Sequence, residues 1–426
     1  MEADLVFFTS NHHLGAAGDV ARVVEENEVA SLVYYFSQIP DPRVENRCEH
    51  LLIDVLVITI CAVLCGAQSC TDFEDFGHSK ESWLRRNLEL RNGIPSHDTF
   101  RRVLSIIDPA EVEKTFQAWV QAILGERKIK TLSIDGKAVG GATHGGVGGR
   151  SFLHLVNIYS QEHSLCLGQI ESNGSGGETT AALELIDQLD IKDTLISADA
   201  RFAVRKVVEK IRSKKGHYLV ALKDNNKFYR DQVIDEFEKA KSLDSARAKE
   251  MGHGRAEERK VSILKANEKA LDEKFFTQWP DLKTLIRIER TRVFEEKRPF
   301  VQVRNEKTGE LKHVKTGTQS GKAKLMRETQ ETSYYLSSKK MSAKEAMKEV
   351  RKHWGIENGL HWVLDVAFAE DDWLARAKRL SRNLAALRRI GLNLIRSNAS
   401  LPKKSIRRHM KTAGWNDDIL ESLVFG

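Results

Sequence analysis

The chain has 426 residues, 41% hydrophobic and 30% charged, which at about 150 residues per domain suggests two or three domains. Its 28 Gly and 7 Pro exclude a collagenous or Pro/Gly-rich disordered chain, and the net charge of +7 permits a nucleic-acid partner without establishing one. Five cysteines with no Cys-x-x-Cys pair read as buried thiols of a reducing cytoplasm rather than as a disulfide framework.

Residues 1–30 hold no basic start before an apolar block, so they read as a flexible N-terminus and not a signal peptide. Residues 31–127 form a helical domain with helices over Leu32–Ser37, Leu51–Ala67, Phe73–Leu90 and Pro109–Leu124. The 51–67 run falls short of the ~20 residues a bilayer span needs and carries Asp54, so it reads as a core helix, with no membrane partner. Ser96, after Gly93-Ile94-Pro95, is placed to cap a helix starting at His97.

At Lys128 the texture changes. A short strand, Lys130–Asp135, ends on an acid and is followed by a Gly-rich stretch, Gly140–Gly149. Strands Phe152–Tyr159 and Leu165–Glu171, helix Glu178–Leu189, strand Thr194–Ala198 ending on Asp199, helix Ala203–Ser213 and strand Tyr218–Leu222 follow. This order, over 128–223, implies an α/β fold with a mixed sheet and helices on its faces. Residues 224–338 read as a highly charged, β-rich insertion with strands Arg259–Leu264, Thr284–Val293 and Thr332–Leu336 and an exposed loop over Asn305–Gln330. A helix over Ser342–Val366, opened by a Ser342/Glu345 capping box, and another over Leu374–Arg396 fill 339–398; basic tail helices occupy 399–426.

Asp135 and Asp199 end separate strands, the edge at which open α/β sheets bind ligands, and Glu357 lies mid-helix in Arg351-Lys-His-Trp-Gly-Ile-Glu-Asn-Gly-Leu-His-Trp362. Three carboxylates from three elements suit hard divalent cations, and a pair of such ions suits in-line phosphoryl displacement. Any one of these acids alone reads as a turn or surface charge. His353 and His361 flank Glu357 by four residues each and share its face, but His-x3-Glu-x3-His is not a zinc-protease pattern. Trp354 and Trp362 read as core anchors.

The chain resembles the DDE transposases of bacterial insertion sequences, in particular the H-repeat-associated group. The resemblance spans about 31–400 and rests on Asp41-Pro-Arg43, Gly93-Ile-Pro-Ser-His-Asp-Thr-Phe100, Ile134-Asp-Gly-Lys137, Tyr218-Leu-Val-Ala-Leu-Lys-Asp-Asn225, Gly252-His-Gly-Arg-Ala-Glu-Glu-Arg259 and His353–Val366 with Glu370-Asp371. It implies an RNase H-like fold with Asp135, Asp199 and Glu357 as catalytic and metal-binding residues. It also implies two Mg2+ or Mn2+ ions per site, cleavage at transposon ends, and attack of a 3′-OH on target DNA. The implied partner is double-stranded DNA bound by a homodimer, in a bacterial cytoplasm at the nucleoid. Departures fall at Ser175-Gly-Gly-Glu178, where the family has a Lys-Ser-Asn-Glu-like run, at Val204 and Asn226, where it has Gln, and at Val350, His353 and Leu364, where hairpin-forming relatives carry Tyr, Arg and Lys. They leave open a catalytically silent DNA-end-binding relative, or a stand-alone RNase H-like nuclease.

Phosphate contacts are expected at Lys137 and Lys223, just beyond strand ends, and at Arg255, Arg351 and Lys352. Residues 339–412 hold 18 Lys+Arg against 7 Asp+Glu, and Lys403, Lys404, Arg407 and Arg408 recur at helical spacing, which next to a phosphoryl-transfer site favours salt-dependent DNA contact.

Overall fold

The computed structural model describes residues 31–426 except 45–47, 147–148, 174–175, 253–254, 296–299, 305–310, 316–325 and 374–376. The expectation for 1–30 lies outside the described residues.

Five helices come first: α1 (Leu32–Ser37), α2 (Leu52–Leu64), α3 (Cys70–Leu84), α4 (His97–Ile106) and α5 (Pro109–Leu124). Ser96 accepts the Thr99 N–H to open α4, and Pro109 sits in the first turn of α5 behind the Asp108 cap. Every α2 residue except Ile53 is buried, the mark of a helix apolar all round.

Asp54 is the exception in character: a carboxylate 2% exposed, accepting the Leu90 N–H at 3.1 Å. Burial pushes its pKa up to about 6, against the opposing pull of that hydrogen bond. The folded state therefore holds a proton that the unfolded chain has released between about pH 4 and 6, and stability falls as pH rises through that window. Asp54→Asn keeps the acceptor without the charge. It is expected to stabilise the protein at pH 7 by roughly 1–3 kcal/mol and to gain nothing at pH 4, read from urea unfolding at both values. An equal gain at both would contradict this origin.

The core strands are β1 (Thr131–Gly146), β2 (Gly149–Ser160), β3 (Leu165–Glu171), β4 (Leu195–Ala198) and β5 (His217–Leu222), with α6 (Gly177–Asp187) and α7 (Arg205–Ser213) between β3 and β5. The strand predicted to stop at Asp135 continues to Gly146, because the Gly-rich stretch pairs with β2 in a long hairpin whose register slips between Val139 and Thr143. After α8 (Lys227–Lys239) come β6 (Asp244–Gly252), β7 (Arg255–Lys265), α9 (Glu273–Gln278), β8 (Thr284–Glu295), β9 (Phe300–Arg304), β10 (Leu311–Lys315) and β11 (Met326–Ser337). Part of the predicted loop 305–330 is thus strand.

Among the described residues the insertion strands do not form a sheet of their own, apart from the β9–β10 pair. One nine-stranded mixed sheet runs β3-β2-β1-β4-β5-β11-β8-β7-β6. Pairing is parallel for β1–β4 and β4–β5 and antiparallel elsewhere. The join is β11 on β5, with Tyr334–Ser337 opposite Leu222–Leu219.

The helix predicted over 342–366 is three pieces: α10 (Ala343–Ile356), a π-helical turn over Glu357–His361, and α11 (Trp362–Phe368). The capping box at Ser342 and Glu345 is formed. α10 packs on β1 and β4 and also on β6, β7 and β8, so it bridges core and insertion. α12 (Lys378–Ser397) lies between α2, α4 and α5 and the strands β1–β3, burying Leu384, Leu387, Ile390 and Leu394. α13 (Ile406–Trp415) and α14 (Asp417–Val424) close against α2 and α12. No described helix is long and apolar enough to cross a membrane.

Candidate active site

In the parallel register Ile134 lies opposite Ala198, so Asp135 and Asp199 are the next residues on adjacent strands, at the same end of the sheet. Glu357 starts the π turn, a helical irregularity frequent at functional sites. Two glycines let this turn approach β2 and the residue after it. A Cβ on Gly359 would sit 2.8 Å from the Tyr159 hydroxyl, and one on Gly355 would overlap the Gln161 amide.

The three acids feel one another. Burial first, then the charges of Glu357, Asp199 and Glu178, push Asp135 up to about 7, although the Gly136 N–H pulls the other way. Burial and then Asp199 raise Glu357. For Asp199 burial also opposes ionisation, but Lys223 outweighs it: its Nζ stands 2.9 Å from Oδ1, and the carboxyl is held below its usual range. Arg201 Nη1 lies 3.0 Å from Glu178 Oε1. The flanking histidines meet different strands. His353 Nδ1 lies 3.2 Å from Ser197 Oγ, and His361 Nδ1 lies 3.6 Å from Asp135 Oδ2. Burial, first of all, lowers them to about 4 and about 3, so both are neutral imidazoles.

As a donor set, three carboxylates fit a hard divalent cation, and the repulsion that raises Asp135 and Glu357 is the charge such an ion would neutralise. Their oxygens stand apart: among the described residues no group of three or more His, Cys, Asp or Glu is drawn to metal-holding distance.

Lys137 does not sit beyond a strand end: it lies within β1, 8% exposed, with its Nζ bonded to Asp365 and 3.5 and 3.7 Å from Asp371 and Glu370. Lys352 is spent on Glu349 at 3.0 Å and Thr131 Oγ1 at 3.2 Å. Arg351 pairs with Glu250. Arg255 opens β7, and its side chain lies outside the described residues. Lys403, Lys404, Arg407 and Arg408 are all exposed in and just before α13. Trp354 and Trp362 are not core anchors: they are 39% and 60% exposed.

Beside Glu357 a cleft of about 910 Å³ opens between α10 and the insertion strands. Arg259, Arg290 and Arg292 gather there around buried Glu257, and the Arg290 guanidinium lies 5.2 Å from the Trp354 ring centroid. Sequence reading missed this cluster. It also missed Asn157 and Arg389, whose signal was a polar residue inside an apolar strand and an arginine inside the apolar stripe of α12.

Two family models match: "DDE_Tnp_1-associated" over residues 33–120 and "Transposase DDE domain" over 126–394. The chain is 32% identical over 401 residues to "Putative transposase YncI" of Escherichia coli O157:H7, covering 93% of this chain and 95% of that one. It is 31% identical over 406 residues to "H repeat-associated putative transposase YhhI" of Escherichia coli K12, covering 94% and 99%. A solved piggyBac transposase synaptic complex with hairpin DNA aligns at 10% identity and a TM-score of 0.40 over 92% of this chain and 78% of that one, a likeness too distant to argue from.

Proposed function

Because the chain belongs to the transposase DDE domain family, we propose that it cuts DNA at the ends of its own mobile element and joins the freed 3′-OH to target DNA, with Asp135, Asp199 and Glu357 as the catalytic carboxylates. The observation that carries this reading is the convergence of charge at one sheet edge: adjacent parallel strands present two aspartates, a π turn presents the glutamate, and beyond the effect of burial Asp199 and Glu357 raise the proton affinity of Asp135 while Asp199 raises that of Glu357.

The fold is read as RNase H-like, with 128–223 and 339–398 as the core, 224–338 as the insertion and 31–127 as the DNA-associated helical domain. Divalent ions held by Asp135, Asp199 and Glu357, two in the full site, would supply Lewis-acid activation and charge neutralisation at the phosphate. The protein's own residues do the rest. Lys223 leaves Asp199 for a phosphate oxygen once that carboxylate is engaged elsewhere. Neutral His353 backs β4 through Ser197 and keeps a second positive charge out of the site. The arginine-lined cleft beside Glu357 takes the DNA backbone, and the exposed bases of α13 extend that path, so binding weakens steeply with salt. Two equivalent ends call for a two-fold dimer on DNA.

The test is incubation of the full chain with its own flanking DNA and Mg2+ or Mn2+, with product ends mapped. Cleavage that leaves a 3′-OH at the element boundary is the expected result; binding without cleavage under either metal would sink the catalytic reading.

A further inference from the structure

Behind Asp135 stands a run of polar side chains that neither the family match nor the acid triad accounts for. Arg389 is fully buried in α12. Its Nη1 donates to Glu370 Oε1 at 2.6 Å and to the Ala385 carbonyl at 2.9 Å, which fixes the guanidinium. Its Nε donates to Asn157 Oδ1 at 2.7 Å. Asn157, also fully buried, is the cross-strand partner of Asp135 in the β1–β2 register.

That first bond decides the others. A guanidinium only donates, so the Asn157 oxygen must face Arg389 and its NH2 must face His361 Nε2, 3.5 Å away. An amide nitrogen also only donates, so Nε2 must accept, and the ring proton sits on Nδ1. Nδ1 faces Asp135 Oδ2 at 3.6 Å. Every link then runs one way, from guanidinium to amide to imidazole to carboxylate. An imidazolium, or the opposite tautomer, would set a ring N–H against the Asn157 NH2; flipping the amide would set its NH2 against the Arg389 N–H.

We propose that Asn157 and His361 are positioning residues: a hydrogen-bond chain of fixed polarity, anchored on the Arg389–Glu370 pair, aims the His361 Nδ1–H at Asp135 and orients that carboxylate for its cation. The inference rests on the reading of Asp135 as a metal-holding acid. The last link is longer than a formed hydrogen bond, and it closes as the carboxylate is engaged, as active-site contacts commonly tighten on loading. The role is that of the outer partners that orient metal ligands elsewhere, whose loss typically weakens metal affinity 10–100-fold.

The experiment uses the full chain labelled with 15N-histidine, the His361 resonances being identified by their loss in His361→Gln. The wild-type spectrum at neutral pH is expected to show a neutral ring protonated at Nδ1. Asn157→Asp can accept from Arg389 but cannot donate to Nε2, so His361 is expected to switch to the Nε2–H tautomer. Mn2+ binding, measured with the metal alone and no DNA, is then expected to weaken 10–100-fold with the thermal midpoint retained. An Nε2–H tautomer or an imidazolium in the wild type overturns the proposal. So does a switched tautomer with unchanged Mn2+ affinity. If Asn157→Asp does not fold, the wild-type tautomer together with Mn2+ affinity of His361→Gln decides the matter. Failure of the wild type to bind Mn2+ at all would instead remove the metal reading of Asp135, while the tautomer would still report the chain's polarity.

Discussion

Asp135→Asn, Asp199→Asn and Glu357→Gln are each expected to lower end cleavage by at least about a thousandfold, the order lost when a charge-stabilising element of phosphoryl transfer is removed. The substitutions keep side-chain volume and remove only charge, so DNA binding at fixed salt should stay within a few fold. For Asp135 and Glu357, whose ionised forms are disfavoured in the fold, folding should not suffer either. The ionised form of Asp135 is disfavoured in the folded protein by burial and by the other carboxylates, so Asp135→Asn should leave the thermal midpoint in metal-free buffer at pH 8 unchanged or higher. Product mapping, filter binding and a melting curve on the same preparations separate the outcomes. A variant that still cleaves, or that loses cleavage only because it melts early, would refute the catalytic assignment.

The second large effect concerns stability. Arg389 and Glu370 are both fully buried and joined at 2.6 Å, and among the described residues Glu370 Oε2 has no hydrogen-bond partner, with Lys137 Nζ at 3.7 Å. Arg389→Met leaves Glu370 short of its main counter-charge and Asn157 without its donor. A broken buried pair costs about 3–5 kcal/mol, whereas replacing both partners by apolar groups is often close to neutral. Arg389→Met alone is therefore expected to lower stability by that amount. Arg389→Met with Glu370→Leu should recover most of it, and the shortfall in the cycle measures the coupling. A single-variant loss below about 1 kcal/mol in urea unfolding would show that Glu370 is protonated or hydrated instead.

Local signals carried the helices: α1, α4 and α5 begin where the Ser96 cap, Asp108-Pro109 and the apolar runs place them. They carried the end of β4 before Asp199 too, but not an end at Asp135, since β1 runs on to Gly146. Pairing was harder to read. Nothing local to Tyr334–Ser337 announces β5 as a partner, and the Gly-rich stretch after Asp135 looks like a loop until β2 is laid against it. At the site, residue type and helical spacing were enough to group His353, Glu357 and His361. They were not enough to show that one imidazole meets Ser197 of β4 and the other Asp135 of β1, which depends on the π turn and on which strand each ring meets. Lys137 shows the same limit: a lysine after a strand acid looks solvated until Asp365, Glu370 and Asp371 fold over it.

The single nine-stranded sheet bears on how the chain is made. Tyr218 at the start of β5 gives its N–H to Ser338 Oγ, 120 residues later, and every β5–β11 pair waits for a span nearly as long. During synthesis, at roughly 5–20 residues per second, β5 therefore emerges as a bare edge and stays one for about 6–24 seconds until β11 arrives. An unpaired edge in the middle of an apolar sheet is a template for pairing with a neighbouring nascent chain. Slow codons placed between β5 and β11 should therefore send more of the product into inclusion bodies than the same codons placed after α12.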